Sequence, residues 1–124
     1  MIHIDRTRVM ALFLRLSAIP DDERHSYDEI IENACFYIAS HLKDPVTVND
    51  LERVEFACAA VAVYDNTLLR LINDKTLCTA DGRQTLSYKD SDSYKYAVTL
   101  RAHAIACIND IWADDTFSFA AVEG

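Results

Sequence analysis

Glycine and proline are nearly missing from this chain, at two each in 124 residues. Many short strands need many turns, and turns consume these two residues. Their scarcity excludes a sheet-rich or low-complexity chain and favours helices joined by few connections. Gly82 and Gly124 alone cannot build a glycine-rich phosphate loop, a G-x-S-x-G elbow or a dinucleotide fingerprint. Positive charge is also short: 12 Lys and Arg face 20 Asp and Glu, for a net charge of −8. No basic stripe exists to displace counterions from a phosphate backbone, which argues against a nucleic-acid grip. The plainest use of the acidity is solubility. No apolar run approaches about 18 residues, so no membrane span is expected. No basic, apolar leader opens the chain, so synthesis in the cytoplasm is expected.

The four cysteines, Cys35, Cys58, Cys78 and Cys107, form no CxxC pair. Three of them, all but Cys78, fall in apolar helical stretches and read as reduced core residues. The four histidines are scattered, with no HExxH or His-x-x-x-His spacing, and no metal or cofactor is expected. Glu29/Glu32 and Glu52/Glu55 have the i, i+3 spacing of paired carboxylates. Di-iron bundles need ExxH motifs, which are absent. Glu29 and Glu52 therefore read as helix caps, with Glu32 and Glu55 on solvated faces. A Cys58–His103 nucleophile–base pair is conceivable in chemistry, but no spacing brings the two together. The expectation is a protein that is not an enzyme.

What is abundant is apolar surface, at 51% of residues. It is distributed with helical period. A first helix over about 5–18 is marked by Val9, Leu12, Phe13, Leu16 and Ile19, and Pro20 with the charged run Asp21-Asp22-Glu23-Arg24 is expected to end it. A second, over about 26–43, opens on Ser26 and Glu29 in capping-box spacing and carries Ile31, Ala34, Ile38 and Leu42. A third, over about 49–73, opens on Asn49 and Glu52. Its centre, residues 56–64, is nine uncharged, alanine-rich residues in a row. A helix apolar on every side must be surrounded, so this is the expected central helix. A fourth, over about 92–112, carries Ala97, Leu100, Ala104, Ile108 and Ile111. It offers only Lys95 and Arg101 as basic groups, too few for a recognition helix. Residues 1–124 thus read as one all-α domain, a four-helix bundle-like fold.

Two segments stand outside this pattern. Over 75–89, Leu77 and Thr79 precede an Asp81-Gly82 turn signal, and Leu86 and Tyr88 follow it, as in a short β-hairpin or an ordered loop. A lone hairpin is marginal in water and needs support from the bundle or a neighbour. The tail over 114–124 carries Phe117 and Phe119 at alternate positions, with Val122 beyond. In an extended chain both rings face one side, where they can fold back on the bundle or dock on a partner. These nine residues are the candidate interface.

The order of elements is also similar to something known. A short helix and an acidic break precede Ile30-Ile31-Glu32-Asn33-Ala34-Cys35-Phe36-Tyr37-Ile38. A break at Pro45 and Asn49-Asp50 leads to an alanine-rich helix, Arg53-Val54-Glu55-Phe56-Ala57-Cys58-Ala59-Ala60-Val61-Ala62-Val63-Tyr64, then an extended polar segment and a last helix. In this order and apolar patterning, over most of its length, the chain resembles the head–tail connector (head-completion adaptor) proteins of tailed bacteriophages and prophages. The likeness does not extend to the aromatic tail. It implies a non-enzymatic subunit without cofactor, made in a bacterial host and destined for a virion. That subunit forms a homo-oligomeric ring between portal and tail-side proteins, with DNA passing through as non-specific cargo. An acidic lining would suit such a channel, since attraction to phosphates would retard the DNA. The other expectation is a small helical adaptor or regulatory domain with a groove for a protein partner.

Overall fold

The computed structural model of the chain describes residues 3–43, 47–73 and 91–113. Four α-helices dominate them: α1 (Arg6–Ser17), α2 (Asp28–Ser40), α3 (Leu51–Asn73) and α4 (Asp92–Ala106). There is no strand among the described residues; the nearest thing is an isolated antiparallel bridge between Leu42 and Trp112. The expected all-α fold is therefore observed. Among the described residues no helix is long and apolar enough to cross a membrane. The segments 75–89 and 114–124 lie outside the described residues.

The helices run alternately up and down, as their side-chain pairings show. Arg6 on α1 meets Glu32 on α2, and Phe13 meets Tyr27, just before α2. Arg53, near the start of α3, meets Asp110 beyond the end of α4, while Tyr64 packs near Tyr94 at the start of α4. The long helix α3 is the common neighbour of the other three. Its stretch from 54 to 63 is buried except at Phe56, which is partly covered. Ala57, Ala59, Ala60 and Ala62 have no exposed surface, so neighbouring helices close in on all sides of α3. Around it pack Phe13 and Val9 of α1, Ile31 and Ile38 of α2, and Ala97 and Ala104 of α4, with Ile108 just beyond.

The helix ends differ from expectation in instructive ways. Helix α1 opens as a helix should, with the Asp5 Oδ1 accepting the amides of Thr7 and Arg8 at 2.9 and 3.3 Å. It stops at Ala18, before Pro20. Ala18 takes the left-handed conformation (φ 56°, ψ 42°), and the Ile19 amide reaches back to the Leu14 carbonyl at 2.9 Å. The charged run does not act as a simple break: Asp21–Tyr27 forms a 3-10 helix that feeds directly into α2. Ser26 is inside that turn, so the expected Ser26–Glu29 capping box does not form, and α2 begins with no side-chain cap. Before α3, the capping box is Thr47 with Asp50 rather than Asn49 with Glu52, and it caps a short 3-10 turn, Val48–Asp50.

Helix α4 ends at Ala106, short of the expected 112, because its last turns are diverted. The Arg53 guanidinium donates to the Cys107 carbonyl at 2.7 Å and grips both Asp110 oxygens at 2.6 and 3.0 Å. It also holds Asp50. With a free helix-end carbonyl satisfied by this cation, the chain turns into a 3-10 helix, Asn109–Ile111. The Lys43 amide then bonds the Ile111 carbonyl at 2.8 Å. One arginine thus ties the entry of α3 to the exit of α4.

Ala18 is the one non-glycine residue with positive φ among the described residues. A left-handed residue with a Cβ is strained by about 1 kcal/mol or more. Ala18→Gly is expected to stabilise the fold by about 0.5–1 kcal/mol, after the larger unfolded-chain entropy of glycine is offset. Urea unfolding of the two proteins measures it; an unchanged or lower midpoint would show that the turn is not strained.

Candidate functional site

The described residues carry three polar constructions that the core does not require. The first lies along the seam of α1 and α3. Glu32 is solvated, as expected, and its contact with Arg6 at 2.9 Å holds its carboxyl below the usual range. Glu55 is not solvated: it is 3% exposed. All-round burial of α3 takes this carboxylate inward along with its apolar neighbours. The Arg8 Nε stands 3.4 Å from one oxygen, and the other oxygen has no hydrogen-bond partner. A buried carboxylate needs such compensation, because desolvating a lone charge is costly. Outside it runs a shallow groove of about 410 Å³, with Leu12 and Phe56 among its walls.

The second construction joins α2, α3 and α4. Arg101 does not face outward. Its guanidinium lies between the rings of Tyr37 and Tyr64, 5.6 and 5.2 Å from their centroids, and donates to the Tyr37 hydroxyl at 3.2 Å. Such cation–π contacts strengthen when water is excluded. The Arg101 Nε is buried without a partner. Tyr37 also packs on His41, which stacks on Trp112 at 4.8 Å and 8°. Beside this cluster, burial pushes the Asp65 carboxyl above its ordinary value, and the Arg101 charge opposes that shift without cancelling it.

The third is a groove of about 600 Å³ where the end of α1, the last turns of α3 and the first turn of α4 converge. Val63 and Asn66, both buried, lie at its base, and Leu16, Thr67, Arg70 and Tyr96 are among its walls. The Tyr96 hydroxyl donates to the Leu16 carbonyl at 3.2 Å, fixing α4 to the end of α1. The Ser17 hydroxyl is buried beside it with no hydrogen-bond partner. On the same turns of α3, Leu69 and Ile72 stand exposed. The groove is therefore mixed in character: Leu16, Val63 and Leu71 are its apolar part, and Ser17, Asn66, Thr67, Arg70, Ser93 and Tyr96 bring polar groups to it.

The expected interface residues Leu77, Thr79, Asp81, Gly82, Leu86, Tyr88, Phe117, Phe119 and Val122 all lie outside the described residues. Of the residues near these segments in sequence, Leu71 and Ser93 line the third groove, and the Ala113 amide bonds the His41 carbonyl. Two of the expected core cysteines are buried, Cys35 and Cys58. They face one another across α2 and α3, and the hydrogen bond to Cys35, then burial, pushes the Cys58 thiol well up. Cys107 is exposed, contrary to expectation, because α4 has ended before it and the chain is turning. His103 is exposed too and lies by Cys107, not Cys58. No cluster of three or more metal-ligating side chains occurs among the described residues.

The chain matches no family model, and no curated protein or solved structure is significantly similar to it.

Asp65 yields a pH prediction with a definite sign. Its folded-state pKa lies above its ordinary value of 3.8. Below that value both states are protonated. As pH rises through and beyond it the unfolded state ionises first, and stability is lost. Asp65→Asn is expected to be more stable than the parent at pH 7 and equal to it near pH 3, measured by denaturant unfolding at both pH values. A gap independent of pH would mean that the carboxylate is not the destabilising element.

Proposed function

We propose that this chain is a structural assembly subunit that works by docking on other proteins, of the kind its resemblance to phage head–tail connectors implies. In this reading copies of the chain form a ring between portal and tail-side proteins, and the acidic surface lines a channel through which DNA slides. The observation that carries the docking half is the groove of about 600 Å³ between α1, α3 and α4, with Leu69 and Ile72 uncovered on the same turns of α3. Its apolar part, Leu16, Val63 and Leu71, suits a side-chain anchor, and the buried Ser17 hydroxyl and Asn66 can meet main-chain polar groups. The candidate arms, 75–89 and 114–124, follow α3 and the Trp112 turn in the sequence. The withdrawal of Arg101 between two tyrosines fits the same picture, because it removes a positive charge that would otherwise hold DNA.

A second reading rests on the same groove: a small adaptor that binds one peptide or protein and forms no ring. The two part company in assembly state. Light scattering over a range of concentrations, with electron microscopy, is expected to show rings, alone or with a portal protein as template. A persistent monomer in both settings contradicts the connector reading and leaves the adaptor. Phe117→Ser with Phe119→Ser is expected to impair assembly while helical circular dichroism is retained. Loss of the helical signal would make the tail part of the core.

A further inference from the structure

The last turns of α3 carry a stripe unlike its centre. Val63, Asn66, Thr67 and Arg70 recur at three- and four-residue spacing and so share one side of the helix. That side lines the groove of about 600 Å³ against α1 and α4. Further back on α3 the buried positions are apolar apart from Glu55, which Arg8 answers. Asn66 is covered almost as fully, at 6% exposure, yet its side-chain amide makes no hydrogen bond among the described residues. A buried amide without a partner costs roughly 1–3 kcal/mol. The buried Ser17 hydroxyl in the same groove is likewise unpartnered. Two unmet polar groups in one groove weaken the fold and favour a ligand that supplies their partners.

The charge of the groove narrows the ligand. In the groove beside Arg8 and Arg15, Glu52 and Glu55 balance the two arginines. In the one beside Arg6 and Arg24, Asp28 and Glu32 do so. The groove at Asn66 has Arg70 and no carboxylate among its lining residues. Arg70 is exposed and forms no ion pair among the described residues. In a chain of net charge −8, a groove of positive lining is complementary to an acidic ligand. A guanidinium suits a carboxylate, which it can grip with two parallel N–H donors. One turn of helix, about 6 Å, separates Asn66 from Arg70, a span that an extended chain covers in about two residues.

We propose that this groove receives an extended acidic segment of a partner protein, with an apolar residue next to an Asp or Glu. The apolar side chain rests on Leu16, Val63 and Leu71, and the carboxylate pairs with Arg70. The Asn66 amide exchanges two hydrogen bonds with the partner's main chain, its oxygen accepting an N–H and its nitrogen donating to a carbonyl. The Tyr96–Leu16 hydrogen bond already ties two walls of the groove together, which limits the ordering that binding requires. The proposal rests on the docking reading above and names the ligand of its groove.

The probe is the capped peptide acetyl-Ala-Leu-Glu-Ala-amide, titrated into the full, isotope-labelled chain and followed by NMR, with the Gln analogue of the peptide alongside. The expected result is a saturable shift of the Asn66 side-chain amide with the Glu peptide. Binding is expected to weaken about three- to tenfold with the Gln peptide, and by the same factor in Arg70→Gln. Asn66→Leu is expected to lose binding while its urea midpoint rises, because no buried amide is left without a partner. Arg70 is exposed, so Arg70→Gln tests binding even if Asn66→Leu disturbs packing. Equal binding of the two peptides overturns the acidic preference and leaves the groove as a docking site, so the two readings fail separately. The proposal is also overturned by no shift with either peptide, as when this chain or a second copy already fills the groove. Shifts reproduced by inorganic phosphate alone, or parental binding by Arg70→Gln, overturn it as well.

Discussion

Everything in this bundle depends on the small side chains of α3. Four alanines between 57 and 62 have no surface left, so α1, α2 and α4 can pack against the backbone of one helix from different sides. The larger core side chains then come mostly from around it, as with Phe13 of α1, Ile31 and Ile38 of α2, and Ile108 just beyond α4. The arrangement has a consequence for charge. A helix buried on every side takes along any polar residue within its central turns, and Glu55 is the residue so taken. Arg8 of α1 answers it from a neighbouring helix. The packing of α3 thus creates the ion pair, and the ion pair does not create the packing.

The same logic explains why positive charge is used inward. Arg53 closes the exit of α4 by bonding a carbonyl and two carboxylates at once. Arg101 fills the seam between Tyr37 and Tyr64. With these two arginines engaged, and Arg6, Arg8 and Arg24 paired with carboxylates, the acidic excess shapes the outside. A surface of that sign repels phosphate backbones.

Much of the fold was legible in the sequence. The helical period located all four helices, and the uncharged run of 56–64 identified α3 as the central one. The ends were less legible, for physical reasons. The stop at Ala18 uses a left-handed alanine where glycine would have been the signal. Thr47–Asp50 and Asn49–Glu52 have the same spacing, and only the 3-10 turn between them decides which forms the box. Ser26 carries a true capping signature that a preceding 3-10 helix makes redundant. Of the polar sites, Arg101 joins residues 64 positions apart, beyond the reach of local pattern. Glu55 was legible in principle, since all-round burial of α3 implies it. The contact of His103 with Cys107 was legible as an i, i+4 neighbourhood at the end of α4. The candidate residues of 75–89 and 114–124 lie outside the described part and are legible only as sequence.

The dependence on α3 is open to direct measurement by native-state hydrogen exchange, because local opening and global unfolding give different protection along a chain. If α3 is the element around which the others close, amides from 57 to 63 exchange only through global unfolding. Their exchange free energies then equal the stability measured by denaturant, while those of α1 and the 3-10 turns are lower. Exchange of the 57–63 amides below the global value, with α1 or α4 protected beyond them, would contradict the account.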